Sequence, residues 1–456
     1  MKKSRKKVLY VVHGHPAFSA GGGEWATYFL YQAMKENGNY DPYLLARVSD
    51  PNYQIGHPGS RMLGWEKDDR TQLLVSNGDN YDYFYHSKMS ANLHETDLYW
   101  AIKDYVLALE PDIVHFQHFI HLGVDLLSYV RSLVPAAKIL LTLHEYEAIC
   151  ANQGKMLKTD RKQLCHQASL AACCRCFPQR KAHQFFLRER LFKSNFEEVD
   201  RFIAPSHFLK ARYVDWGLDP ERILVIDNGR PVWSRKERPP KRPGQPFRAA
   251  FFGQFVDCKG WDVFLKAAAE YLRLKSQAGG ASQNLPEVRF SLHGTRDGLI
   301  GEWSDLFNRL VEAARTVVLD HGAYDMKVLQ DLLSRVDCVV VPSVWWENSP
   351  LVIQEAFMAK VPVICSNIGG MAEKVTDRVN GLHFSVGDHF DLLDRILELA
   401  SSPELYDRLV KAIPDVLSDR EMVDQISSLY DELLGEHKNV SMLARMQQAR
   451  VAGTMV

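Results

Sequence analysis

The chain has 456 residues, 46% of them hydrophobic and 24% charged, which excludes a fibrous or disordered protein and points to about two or three globular domains. Its 55 Lys and Arg nearly balance 56 Asp and Glu, so no global field of one sign recruits nucleic acid.

The first segment, MKKSRKKVLYVV, sets Lys2, Lys3, Arg5, Lys6 and Lys7 ahead of a strand-like run. It reads either as a solvated basic start or as an attraction for anionic lipid headgroups. The apolar run at 8–12 is too short for the hydrophobic region of a signal peptide, and no small-residue cleavage site follows. No stretch approaches the ~18 apolar residues that a spanning helix needs. A cytoplasmic protein is expected, with its eight cysteines mostly as thiols.

Short β-branched runs then alternate with longer amphipathic stretches, the pattern of α/β lobes with parallel sheets. KVLYVV, YDPYLLAR, PDIVHFQ, KILLTLH and RFIAPS read as strands of an N-terminal lobe over 1–227. Residues 228–246, rich in Pro, Arg and Lys, read as a linker. The alternation restarts with FRAAFFG, VRFSLHG, VVLDHG, CVVVPS, VPVICS and GLHFSV in a second lobe over 247–420. Amphipathic helices over 421–456 are expected to pack back toward the first lobe, with the last ~12 residues frayed.

The turn after the first strand, HGHPAFSAGGGEW, carries Gly21, Gly22 and Gly23 ahead of a helical pattern. It is either a loop whose amides approach an anion at a helix start or a flexible turn. In an open parallel sheet, ligands gather at the carboxyl ends of strands. His118, His144 and Glu145 end two of them, and Lys259-Gly260 follows the first strand of the second lobe, where a lysine suits a diphosphate. Glycine turns at 322 and 369–370 complete a rim.

WWENSPLVIQEAF places Glu347 and Glu355 eight positions apart. Ser349 is expected to cap a helix with Pro350 at its first position, so Glu347 lies in the preceding loop and Glu355 about one and a half turns inside. Carboxylates on the order of 10 Å apart suit two contacts on a long ligand better than the ~5 Å acid and nucleophile pair of a retaining hydrolase.

The elements E-N-S-P-L-V-I-Q-E, IGGMAEKVTDRVNGLHF, FFGQF with CKG, and GGGE together resemble the retaining glycosyltransferases of family four, over nearly the whole chain. The resemblance implies the GT-B fold, two Rossmann-like doubly wound lobes facing a central cleft, and a nucleotide-sugar donor held mainly by the second lobe. It implies that Glu347 with Asn348, Ser349, Pro350 and Leu351 holds the transferred sugar and nearby phosphate. Glu355 would then hold the ribose hydroxyls, Lys259 the diphosphate, and His118 would lie near the sugar. Gly22 and Gly23 would approach the phosphate and acceptor side. The family's usual arginine is replaced by Gln254, so Arg230, Arg296 or another cation substitutes, or Lys259 carries more of the donor affinity. The resemblance further implies transfer without an obligatory metal, and no DxD-like pair stands ready to hold Mg²⁺.

The insertion at 145–180 carries five cysteines. Cys173 and Cys176 form C-x2-C, and Cys150 and Cys165 complete a set for structural zinc; reduced thiols beneath a loop, or a disulfide or cluster, are the alternatives. A subset of bacterial polysaccharide-assembly glycosyltransferases resembles this stretch. The leading expectation is transfer to a saccharide acceptor, lipid-linked, at a peripheral site on the inner face of the membrane, with Phe185 and Phe186 as surface aromatics. A transferase or epimerase acting on soluble sugars and a non-catalytic nucleotide-sugar-binding partner are the alternatives.

Overall fold

The structure, a computed structural model, describes residues 5–19, 21–49, 61–76, 81–87, 96–159, 163–233, 244–277 and 285–435. Lys2 and Lys3, most of the expected linker and the stretch expected to fray lie outside the described residues. The chain divides into two compact units. The first comprises 1–154, 158–232 and 417–456, and the second 155–157 and 233–416.

The first unit is built on an eight-stranded sheet of order β3-β4-β2-β1-β5-β6-β7-β8. Its strands are β1 Lys7–Val12, β2 Asp41–Val48, β3 Met62–Trp65, β4 Asp68–Val75, β5 Ile113–Phe116, β6 Lys138–Thr142, β7 Arg201–Ala204 and β8 Ile223–Val225. All neighbours are parallel except the edge strand β3, which runs antiparallel to β4. Every residue of β5, and all but the first of β1 and β6, is buried. Strands covered by helices on both faces need such continuous apolar runs. The helices are α1 Gly22–Asn37, α2 Thr96–Leu109, α3 Leu126–Leu133, α4 Leu170–Cys176, α5 Ala182–Phe196 and α6 His207–Trp216.

The second unit carries a fully parallel sheet of order β11-β10-β9-β12-β13-β14. It consists of β9 Phe247–Phe252, β10 Val288–His293, β11 Val318–Asp320, β12 Cys338–Val341, β13 Val363–Ser366 and β14 Gly381–Phe384. Between and after them run α7 Trp261–Gln277, α8 Glu302–Ala313, α9 Leu329–Ser334, α10 Leu351–Met358, α11 Gly369–Lys374, α12 His389–Ser401 and α13 Pro403–Ala412. In each sheet the first strand lies inside, β1 between β2 and β5 and β9 between β10 and β12. Each is therefore a switch point, where chain connections leave in opposite directions and open a crevice at the strand ends.

The last helix, α14 Asp419–Leu433, belongs to the first unit. Tyr430 Oη lies 2.6 Å from His115 Nδ1 and 3.3 Å from Tyr10 Oη, while His115 Nε2 lies 2.8 Å from Thr142 Oγ1. All three ring residues are fully buried, so this chain of hydrogen bonds satisfies groups that water cannot reach. Arg230 is held in the same unit, its amide donating to the Leu417 carbonyl at 2.9 Å. The boundary between units thus falls near 232, inside the span expected as linker, because residues up to Arg230 pair with the start of α14 through the Arg230–Ser418 bridge.

Candidate active site

In the second unit, the chain leaves β9 through Gly253 and the exposed Gln254, makes a single 3-10 turn over Asp257–Lys259 and enters α7. Gly260 makes the corner: its φ is +69°, and a Cβ there would fall 1.8 Å from the Pro342 carbonyl oxygen. Only glycine meets both demands. This close approach fixes Lys259 beside the segment that follows β12. Lys259 Nζ lies 2.6 Å from Glu347 Oε1, which also accepts from Ser343 Oγ at 2.7 Å. Lys259 stands over the Trp345 ring at 5.4 Å. Burial works against the charge on Lys259, but Glu347 and Cys258 beside it outweigh that cost and hold its pKa above the usual lysine value.

Glu347, Asn348, Ser349 and Glu355 are all buried. The helix starts one residue later than the sequence suggests. Pro350, with non-helical ψ of 117°, is the N-cap residue and Leu351 is the first helical position. With no N–H, proline leaves one fewer unmet donor at the helix start, and the first-turn amides of Leu351 and Val352 have no intrahelical acceptor. Gly369 and Gly370 back this loop. The Gly370 amide donates to the Glu347 carbonyl at 2.7 Å, and a Cβ on Gly370 would sit 1.6 Å from the Asn348 carbonyl oxygen. One carboxylate with fixed partners, one ammonium and a helix start thus meet at the β9/β12 crevice, suited to sugar hydroxyls and a diphosphate. Of the cations considered for the missing arginine, Arg230 is buried in the first unit, and Arg296 bonds Asp320.

In the first unit, His13 follows β1, His118 follows β5 and His144 follows β6. His13 Nε2 lies 3.4 Å from Glu24 Oε1 of α1, and its ring centroid lies 4.5 Å from that of His118. Gly22 begins α1. A Cβ on Gly23 would meet His13 at 3.6 Å and His144 at 4.0 Å, so the glycine turn lies against the same histidines. His118 Nδ1 accepts from the Ile120 amide at 2.9 Å, which leaves the proton on Nε2, 3.1 Å from Glu145 Oε1. Both of its nitrogens are engaged. Burial, with His118 adding to it, lowers the pKa of His13 to about 3; burial alone dominates for His118, at about 4, and for His144, at about 3. All three are neutral at pH 7. Burial, together with the neighbouring Glu147, pushes Glu145 well above the usual carboxylate range.

Sequence reasoning missed Glu24, His13 and a second buried cluster. His86 Nε2 lies 2.9 Å from Glu147 Oε2, Tyr81 Oη lies 2.9 Å from His86 Nδ1, and Arg188 donates to the carbonyls of Phe84 and Ala148 at 2.7 Å each. The only sequence signal for Glu24 was its place in GGGE; nothing local marked His86. Cys150, Cys165, Cys173 and Cys176 form no disulfide, and each is half-buried. Among the described residues, no three His, Cys, Asp or Glu side chains stand where they could hold a metal ion. Cys165 Sγ donates to the Gln167 carbonyl at 3.4 Å. Phe185 is buried, its ring 5.2 Å from that of Phe84, whereas Phe186 is exposed.

Comparison with known proteins matches residues 20–232 to the model of Glycosyltransferase Family 4 and residues 234–416 to that of glycosyl transferases group 1. The chain belongs to the GT-B glycosyltransferases. D-inositol 3-phosphate glycosyltransferase of Mycobacterium tuberculosis (strain ATCC 25177 / H37Ra) is 27% identical over 262 residues, 53% of this chain and 50% of that protein. The chain spans about half the length of the curated relatives it matches. Sucrose-phosphate synthase of Thermosynechococcus elongatus superposes with a TM-score of 0.68 at 18% identity, over 95% of this chain and all of that one. Anabaena HepE in complex with UDP and glucose gives 0.63 at 15% identity, over 94% of this chain and 100% of that one. At such identities the likeness is one of fold. This glycosyltransferase has no helix among the described residues that is long and apolar enough to cross a membrane.

Proposed function

We propose that this glycosyltransferase transfers a sugar from a nucleotide-sugar donor to a saccharide acceptor with retention of anomeric configuration. The observation that carries the reading is the Lys259–Glu347–Ser343 constellation at the start of α10, backed by Gly370. Lys259 and the amides of α10 receive the departing diphosphate, Glu347 and Asn348 hold the sugar, and Glu355 holds the ribose. The bond from the anomeric carbon to the diphosphate breaks while the acceptor oxygen bonds that carbon on the same face. The acceptor proton passes to the leaving phosphate. His118 has both nitrogens bonded and is assigned no proton transfer. The complexes of HepE with UDP and with UDP-glucose make a uridine nucleotide the first donor to try.

A lipid-linked acceptor is the finer part of the proposal. Residues 155–190 carry nine Lys and Arg against two Asp and Glu, and α5 exposes Phe186 and Leu187 with Arg190 over the Phe186 ring at 5.2 Å. Cations beside exposed apolar side chains suit an anionic membrane surface. The relatives named for inositol 3-phosphate support a soluble acceptor as the second reading.

Thermal melting with a panel of nucleotide sugars tests the donor, because a ligand specific for the native state raises its melting temperature. Release of nucleoside diphosphate on adding acceptor tests transfer. Binding of a donor that no lipid-linked or soluble acceptor turns over would instead leave a binding partner. Glu355→Ala is expected to weaken donor binding, and Glu347→Ala chiefly to slow transfer; equal effects on both parameters contradict the division of roles.

A further inference from the structure

The glycine turn after β1 is wrapped around a carboxylate of its own. Gly21 is the N-cap residue of α1, and Glu24 is the third residue of that helix. A Cβ on Gly21 would fall 2.3 Å from Glu24 Oε2 and one on Gly14 3.0 Å from Glu24 Oε1, so both glycines leave room for this side chain. Ser19 Oγ donates to Glu24 Oε1 at 2.8 Å, and His13 Nε2 lies 3.4 Å from the same oxygen. Glu24 is buried. A helix start with unmet amides attracts negative groups, and here the chain supplies its own carboxylate. The turn that could have approached an outside anion is already answered from within.

The same crevice leaves one buried acceptor and one buried donor without partners. His13 is neutral at pH 7, so it carries one ring proton, and the Glu24 carboxylate beside Nε2 holds that proton there. His13 Nδ1 is then an acceptor, and it is buried with no hydrogen-bond partner among the described residues. Gln117, 2% exposed, directly follows β5, and its backbone amide donates to the Val11 carbonyl at 2.8 Å, which sets it beside the end of β1. Its side-chain Oε1 lies 3.2 Å from His144 Nε2. Gln117 Nε2, the donating end of the same amide, is likewise buried without a partner. His13 and His144 both lie against Gly23, so acceptor and donor belong to one crevice, at the β1/β5 switch point. Leaving both unmet is unfavourable. A hydroxyl group donates and accepts at once, whereas a phosphate brings acceptor oxygens and negative charge toward Glu24. Arg47 of β2 also acts on His13, but its guanidinium donates to the Ser76 carbonyl at 2.6 Å.

We propose that the β1/β5 crevice takes an uncharged saccharide, one of whose hydroxyls donates to His13 Nδ1 and accepts from Gln117 Nε2, and that Glu24 turns a phosphorylated one away. The inference rests on the transferase reading and deepens it by naming the chemical class of the acceptor. Glu24 is then a specificity-determining residue: like charges brought together in a buried site repel, and this penalty falls on the phosphorylated sugar alone.

Ligand-observed NMR titration of the full chain, loaded with UDP, with glucose and with glucose 6-phosphate tests this. Wild type is expected to bind glucose, and to bind glucose 6-phosphate more weakly. Glu24→Gln, which keeps an oxygen for Ser19 and His13, is expected to shrink that preference on the order of 10-fold with UDP affinity unchanged. Gln117→Leu is expected to weaken glucose on the order of 10-fold. An unchanged preference in a folded Glu24→Gln protein overturns the proposal, as does a wild type that binds the two sugars equally or binds neither; the donor reading then stands. A glucose signal lost in Glu347→Ala and kept in Gln117→Leu belongs to the transferred sugar in the second unit and also overturns it. A wild type that does not bind UDP overturns the donor reading itself, and the acceptor proposal with it.

Discussion

Gly370→Ala tests whether close backbone packing sets the geometry of the donor site. The added carbon would stand 1.6 Å from the Asn348 carbonyl oxygen and 2.9 Å from that of Glu347, both backbone atoms. Ordinary contact begins near 3.4 Å, so the 347–348 loop or the α11 turn has to retreat by about 1.8 Å. The 2.7 Å bond from the Gly370 amide to the Glu347 carbonyl is lost with it. Overpacking of this kind costs about 1–3 kcal/mol of stability. A displacement of that size at reacting groups lowers turnover on the order of 100-fold. Gly64→Ala, whose added carbon meets nothing closer than 3.9 Å, is the control. The assay is kcat/KM for nucleoside diphosphate release, read beside the melting temperature. A folded Gly370→Ala enzyme within about threefold of wild type would refute the argument.

Other substitutions address single contacts. Lys259→Met leaves the buried Glu347 with Ser343 as its remaining partner shown here; donor binding is expected to fall at least tenfold, with a loss of stability measurable by denaturant titration. Tyr430→Phe removes one member of the buried His115–Tyr10 chain and is expected to cost about 1–3 kcal/mol, with donor affinity unchanged by calorimetry. His13, His115, His118 and His144 have native pKa values of about 3, 3, 4 and 3 against an ordinary 6.5. Below pH 6.5 the unfolded chain binds protons that the native state refuses, so stability falls as pH drops from 6.5 toward 4, by up to about 1.4 kcal/mol per unit for each histidine. Melting curves over that range check the sign. Native alkylation is expected to reach the five half-buried cysteines of the insertion before Cys258, Cys338 and Cys365. Burial raises the Cys258 thiol to about 11, and mass spectrometry of timed samples reads the order.

Strands such as CVVVPS and VPVICS were legible because a buried parallel strand is a continuous apolar run, and they appear as β12 and β13. The edge hairpin β3–β4 was not: its residues are half-exposed along β3 and carry Asp68 and Arg70 in β4, so no apolar run announces them. At the site, Glu347 and Lys259 could be named from their neighbours in the chain, but not their bond, which joins positions 88 apart. Ser349 was assigned the cap because its type favours that position; the local backbone gives it to Pro350. The Gly370–Asn348 approach comes from register between strands, which a single sequence does not display.

The return of α14 to the first sheet bears on how the chain is made. Tyr430 completes a core begun by Tyr10, and 420 positions separate them. During synthesis the whole of 233–416 emerges before that helix exists. The second unit, continuous apart from three residues, can therefore finish first, while β1 and α1 wait with an apolar face uncovered. In this protein the lobe whose synthesis starts first is the one that closes last.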